Sequence, residues 1–295
     1  MFNGPAPVEA VRLLYRLGLF TTVFALPPPL DERLGTSYGG PCVTTMAAAD
    51  ANARALGLEM DKEERRFLLL AALLLPLRGL QHQPPKGKPV PATAALIRDS
   101  LKWRVKDIEM SGALAEAAAE LAAAHALLVK GSSAEGPAEG AGAAGQQEHD
   151  VRVMLGQVIR KLKQHWKLGI ALAPVVLMHA AEPLGVAGGS GAATAAETAD
   201  GEGELSEAAA GARLEMARAL LAAVEAYGLS ECWTWKPLMD GKKVMTLLGW
   251  SKPGPELGKV LAAVMDWQLQ HPTGSLADAG AMVRQRFGPD CAAEV

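Results

Sequence analysis

Apolar residues recur along this chain at intervals of three and four, and nowhere do they alternate with polar residues over a sustained stretch. That is the period of helices and not of strands, so the predicted fold class is all-α: a multi-helix body followed by a small helical tail. Val8, Val11, Leu14 or Tyr15, and Leu19 are spaced for one helix face, and Pro27, Pro28 and Pro29 break any helix that runs on past it. Phe67 to Leu77 is apolar throughout and comes after the charged run Asp61 to Arg66, the pattern of a buried helix with a charged first turn. Gly112 to Leu128 is Ala-rich and helical in propensity. From Val151, a stripe of Val151, Leu155, Val158, Leu162 and Trp166 predicts a strongly amphipathic helix. In the last block, Asp240 before Gly241 is a cap for a helix ending at Gly249, and Pro255 opens another. Ser275 with Asp278 caps a third.

Composition divides the chain. Residues 131–150 and 185–211 are dominated by Ala, Gly, Glu, Ser and Thr with little to bury, which predicts two flexible insertions. They leave a first body part at 1–130, a basic amphipathic helix with a further body helix at 151–184, and a helical tail at 212–295. The 295 residues, 49% of them apolar, suffice for a sizeable core. Cys42, Cys232 and Cys291 are few and scattered, which supports neither a disulfide framework nor a zinc site and fits a reducing, intracellular setting. The longest purely apolar run is short of the ~20 residues of a membrane span, and the N-terminus has no leader pattern, so no membrane partner is expected.

A net charge of -3 argues against a generally basic nucleic-acid binder, but the positive residues are clustered. Arg78, Lys86, Lys88, Arg98, Lys102, Arg104 and Lys106 are accompanied by one acid, Asp99. Arg152, Arg160, Lys161, Lys163 and Lys167 have no acid among them. On an uninterrupted helix Arg152, Arg160, Lys163 and Lys167 fall within about 80° of arc, a one-sided basic ridge. Such a ridge is either a solvated face or a phosphate-facing one, and its lack of mixed signs favours phosphate. Lys242 and Lys243 lie in a predicted first turn, where cations oppose the helix dipole unless an anion is near. Lys252, Gly254, Gly258 and Lys259 form a Gly/Pro turn into a helix start, equally readable as an ordinary turn or as a phosphate seat.

Catalytic signals are few. Nucleotidyl transfer by two metals needs paired carboxylates, and no Asp-x-Asp occurs in the sequence. Glu202 and Glu204 lie in an insertion, His149 and Asp150 at the edge of one, and Glu63 to Arg66 is accounted for as a helix start. No metal ligand or catalytic residue is expected in this chain.

The string Lys236-Pro-Leu-Met-Asp-Gly241-Lys-Lys-Val-Met-Thr-Leu-Leu-Gly249, followed by Lys252-Pro-Gly-Pro-Glu-Leu-Gly258-Lys259, resembles the tail signature of class II CCA-adding tRNA nucleotidyltransferases and related poly(A) polymerases. Leu19-Phe-Thr-Thr-Val-Phe-Ala-Leu-Pro27, Lys86-Gly-Lys-Pro-Val-Pro91, Arg152 to Trp166 and Trp267-Gln-Leu-Gln-His-Pro272 are similar to the plant-type enzymes. At Lys243 the chain departs from the signature, which usually carries an acid there. The resemblance implies a body and tail that dock the tRNA acceptor stem and elbow by backbone contact, while the Mg2+-binding head and the neck that selects CTP or ATP have no matching positions. It further implies that the initiator Met marks a truncated gene model or a fragment. A non-catalytic RNA-binding or protein-interaction module is the alternative. On either reading the residues expected at RNA are Arg98, Lys102, Lys106, Arg152, Arg160, Lys163, Lys167, Lys242, Lys243, Lys252, Gly254, Gly258 and Lys259.

Overall fold

A computed structural model describes residues 1–132, 141–179 and 207–288, and the chain divides into two compact units. The architecture is all-α; its only sheet among the described residues is a two-strand ribbon pairing Gln81–His82 with Val90–Pro91. Helix Val105–Ser132 continues to the edge of the first predicted insertion and helix Ala141–Leu162 begins inside it, so residues 141–150 are helical where composition predicted a flexible segment. Helix Glu207–Ala226 likewise takes in 207–211 of the second. The remainder of both insertions lies outside the described residues.

The first unit comprises residues 1–125 and 164–223. Its central helix, Gly39–Ala55, packs against Pro7–Arg16, Lys62–Leu74 and Trp166–Val176. Phe20, Phe24, Tyr38, Met46, Leu70, Leu73 and Ile97 fill the space between. A side chain at Gly39 would put its Cβ 2.9 Å from the Tyr15 ring, so this residue sets how closely the first helix approaches. The Tyr38 hydroxyl donates to the Phe24 carbonyl at 2.9 Å, and burial pushes its pKa up to about 12.

The Asp61-Lys-Glu-Glu start is a capping box. Asp61 Oδ1 accepts from the Glu64 amide at 2.8 Å, and Glu64 Oε2 accepts from the Asp61 amide at 3.1 Å. The other Glu64 oxygen, Oε1, lies 3.1 Å from His165 Nδ1, at the start of helix Trp166–Val176. Arg66 reaches the buried carboxylate of Asp107 at 2.9 Å. All eight residues from Phe67 to Leu74 are buried, as their run of apolar residues predicts.

By length and composition Val105–Gly131 is long and apolar enough to cross a membrane. It contains no long purely apolar run, because charged residues including Lys106, Asp107, Glu109, Glu116 and Glu120 interrupt it. Within the first unit Leu114, Ala117, Ala118, Leu121 and Ala124 form a buried stripe along this helix.

The second unit comprises residues 126–163 and 224–295. Helix Ala141–Leu162 packs against helix Pro255–Gln270 and the turn Cys232–Thr234. Where the two helices pack, a Cβ on Gly156 would lie 2.5 Å from Leu269 Cδ2, so a larger residue there would have to displace the buried Leu269 side chain. Helices Gly241–Leu248, Pro255–Gln270 and Leu276–Phe287 enclose a small core of Val244, Val260, Val264, Ala279 and Val283. Their starts follow the predicted punctuation. Asp240 accepts from the Lys243 amide at 2.8 Å, Gly249 closes that helix in the left-handed region at φ 68°, and Ser275 and Asp278 cap each other reciprocally.

Replacing Asp107 with Ala leaves the mostly buried Arg66 with only Glu63, at 3.5 Å, as a carboxylate partner. The expected loss is about 3 kcal/mol, because the penalty falls on the charge left behind. Urea unfolding followed by circular dichroism, with an unchanged m-value, would measure it; a loss below about 1 kcal/mol would show that Asp107 contributes little.

Candidate nucleic-acid interface

The structure separates the expected RNA-facing residues into three groups. In the first unit, Arg98 is held by its neighbour Asp99 through two 2.7 Å hydrogen bonds. Lys106 pairs with Glu63 at 2.7 Å, which holds the Glu63 carboxyl below its usual range. Lys102 comes after the π turn Leu96–Ser100 with φ 53° and lines a cavity of about 360 Å³. That cavity has both signs in its wall: Arg66, Lys102 and Arg104 stand beside Glu63 and Asp107. Lys167 is exposed, with its Nζ 5.7 Å from the Trp166 ring.

The second group is the supposed ridge, and here the structure differs from the helical-wheel expectation. The helix ends at Leu162; Lys163 is exposed at φ 54° and opens a short 3-10 turn, so the helical phase does not carry through to Lys167. Arg152 and Arg160 turn inward, onto the face that carries Gly156. Arg152 Nε donates to the Leu269 carbonyl, and its guanidinium carbon lies 5.5 Å from the centre of the Tyr227 ring. Desolvation lowers the Arg152 pKa. Arg160 Nη1 donates to the carbonyls of Cys232 at 2.7 Å and Trp235 at 3.0 Å. A lone Gly between two arginines, on an otherwise amphipathic helix, is the sequence signal of tight packing at this face.

The third group lies in the tail, within the second unit. Lys242, Lys243 and Thr246 project from the helix starting at Gly241 toward the helix Leu276–Phe287, whose Arg284 closes the far side. Between them is a cleft of about 630 Å³, with a floor of Met239, Leu247, Leu276, Ala277 and Gly280. No carboxylate lines it among the described residues. At 100° per residue Leu276, Ala277, Gly280 and Arg284 share about 100° of arc, and Asp278 falls at least about 100° outside it. Asp240, which precedes the helix of Lys242 and Lys243, is engaged in capping.

Arg284 was not singled out from sequence. It sits in the last turn of its helix, where a basic residue needs no explanation beyond the helix dipole, and only packing brings it opposite Lys243. Lys252 and Lys259 are exposed; Lys259 Nζ pairs with Glu256 at 2.9 Å. Gly254 caps its helix with backbone alone, and a Cβ at Gly254 or Gly258 would meet nothing within 4 Å. Neither glycine is required by the packing around it, so open space for a ligand remains at this helix start.

Other candidate chemistry is not assembled. Among the described residues no group of three or more His, Cys, Asp or Glu side chains is placed to hold a metal ion. The His149 ring lies 6.0 Å from that of His271, which stacks on Trp267. Glu202 and Glu204 lie outside the described residues.

Comparison with known proteins gives short partial similarities. A 56-residue stretch, 19% of the chain, is 39% identical to tRNA nucleotidyltransferase cca2 of Schizosaccharomyces pombe and covers 11% of that protein. A stretch of 63 residues, 21% of the chain, is 30% identical to cca1 of the same organism, covering 12% of it. A third, of 47 residues and 16% of the chain, is 45% identical to the mitochondrial CCA tRNA nucleotidyltransferase of Saccharomyces cerevisiae and covers 8% of it. The chain therefore matches only about a tenth of the length of these relatives. No family model and no solved structure matches it.

The inward placement of Arg160 makes it a stability residue. Arg160→Gln should cost about 2 kcal/mol, the scale of losing hydrogen bonds from a charged donor, whereas Lys163→Gln should stay within about 0.5 kcal/mol of the parent. Parallel urea titrations test both. Equal stabilities for the two variants would mean that the Arg160 bonds carry no net weight.

Proposed function

We propose that this chain is the tRNA-holding body and tail portion of a CCA-adding tRNA nucleotidyltransferase of class II, plant type. The observation that carries the reading is the acid-free cleft of Lys242, Lys243 and Arg284 in the part of the chain that resembles the family's tail. The partial similarity to three tRNA nucleotidyltransferases supports it.

On this reading tRNA is held chiefly through its phosphates, which position it without reading sequence. The cations at the cleft do the holding, with Lys252, Gly254, Gly258 and Lys259 offering a second phosphate seat at the next helix start. Arg98 and Lys106, each paired with an acid, contribute less than their number suggests, and Arg152 and Arg160 act by keeping the second unit in shape. Adding C, C and A from CTP and ATP needs carboxylates that hold two metal ions across the attacking and leaving oxygens. This sequence contains no Asp-x-Asp, so that chemistry belongs to a head outside it.

Two measurements test the proposal. With about three to five phosphate contacts, log affinity for tRNA should fall with log salt at a slope of about -2 to -4. The triple change of Lys242, Lys243 and Arg284 to Gln should flatten that slope by about 2 units, with little change in melting temperature, because all three side chains are exposed. An unaltered slope would sink the assignment of the cleft. Separately, the purified chain should add no labelled CTP or ATP to a tRNA lacking its 3′ end in magnesium or manganese; template-independent CCA addition would overturn the division of labour.

A further inference from the structure

A site that only gripped phosphate would need cations and no more. The tail cleft also has an apolar floor, and Leu276 on that floor is 45% exposed, a large aliphatic side chain left open to water. Gly280 deepens it. A Cβ built there would meet only Leu247 Cδ2, at 3.8 Å, so glycine is not demanded by packing and the space over it is open. The Thr246 hydroxyl donates to the Lys242 carbonyl at 3.0 Å, which leaves its oxygen facing the cleft as an acceptor.

Cations on the rim, one acceptor on the wall and aliphatic carbon beneath fit a ligand that is anionic along one edge and flat and apolar on another. Along its length a regular RNA duplex does not offer that: its base faces are stacked inside, and its surface is sugar, phosphate and base edges. We propose that the cleft takes an unstacked, looped-out nucleotide, its base on Leu276 and Leu247 and its flanking phosphates between Lys242, Lys243 and Arg284. This rests on the RNA-holding role of the chain and adds to it the class of RNA segment recognised. The volume of about 630 Å³ lies within the usual range of small-molecule sites and exceeds what a phosphate alone requires.

The test separates base from phosphate. Fluorescence anisotropy of the full chain is measured at one salt concentration with a single-stranded RNA heptamer and with a blunt RNA duplex of equal phosphate number. The parent should prefer the single strand by about tenfold, the scale of covering part of an exposed aliphatic side chain. Leu276→Ser removes part of the floor at an exposed helix start, and Gly280→Leu fills the space above it. Both should reduce the preference to within about twofold and leave duplex affinity and salt slope unchanged. Gly280→Ala, which a helix accommodates readily, serves as the folding control and should retain most of the preference. Equal losses on both RNAs, or no loss on either, would overturn the looped-nucleotide assignment while leaving the RNA-holding reading in place. So would tighter, Leu276-dependent binding of an acidic amphipathic peptide. Failure of the parent to bind either RNA would overturn both proposals.

Discussion

Helix Ala141–Leu162 packs on helix Pro255–Gln270 at Gly156, where any larger residue would have to displace the Leu269 side chain. Leu269 stands in the last turn of its helix, where carbonyls have no intrahelical donor. Arg152 and Arg160, one turn to either side of the glycine, donate to the carbonyls of Leu269, Cys232 and Trp235. The guanidinium suits the task because it stays charged and fans several donors from one plane. Leu269 is the last buried residue of the helix that also carries Val260 and Val264 into the tail core, so this contact and the three-helix cluster share one rod. The cleft depends on that rod indirectly: it is walled by the two shorter helices packed on it.

The features legible in the sequence were mostly local. The Asp61–Glu64 and Ser275–Asp278 boxes, the Asp240 cap and the Gly249 stop each depend on residues within one or two turns, and all form as their spacing predicts. The all-α class comes from the same periodicity. The fates of the basic residues were not legible, because a helical wheel shows which side chains share a face and not what that face meets. Arg152 and Arg160 look the same as solvated cations until Leu269 and Cys232, more than seventy residues away, are brought to them. Arg284 fails in the opposite sense: it is ordinary where it stands in sequence and becomes part of a cleft only through packing.

Electrostatically, the two cavities are opposites. In the first unit Arg66 and Lys106 are neutralised in place by Asp107 and Glu63, and their charge goes into holding the helix Lys62–Leu74 against the start of the helix from Val105. In the tail, Lys242 and Lys243 stand at the positive end of their helix, where their presence opposes the dipole and costs a few tenths of a kcal/mol to about 1 kcal/mol. A like-signed cluster of this kind destabilises the free protein, and a bound anion offsets the loss. Asp240 offsets part of it through its cap, which lets the helix start form before any ligand arrives.

Glu64 illustrates how few residue types a single position can admit. One carboxylate oxygen closes the capping box and the other meets His165 Nδ1, so the ring nitrogen must carry its proton on that side. On the far side of the ring, Gln164 Nε2 stands 3.3 Å from His165 Nε2. Asp is a methylene too short to span both partners. Gln has the reach but only one acceptor oxygen, so it could keep both contacts only if its amide donated to an unprotonated Nδ1. The identity of residue 64 is therefore written into the protonation pattern of a side chain 101 positions along the chain.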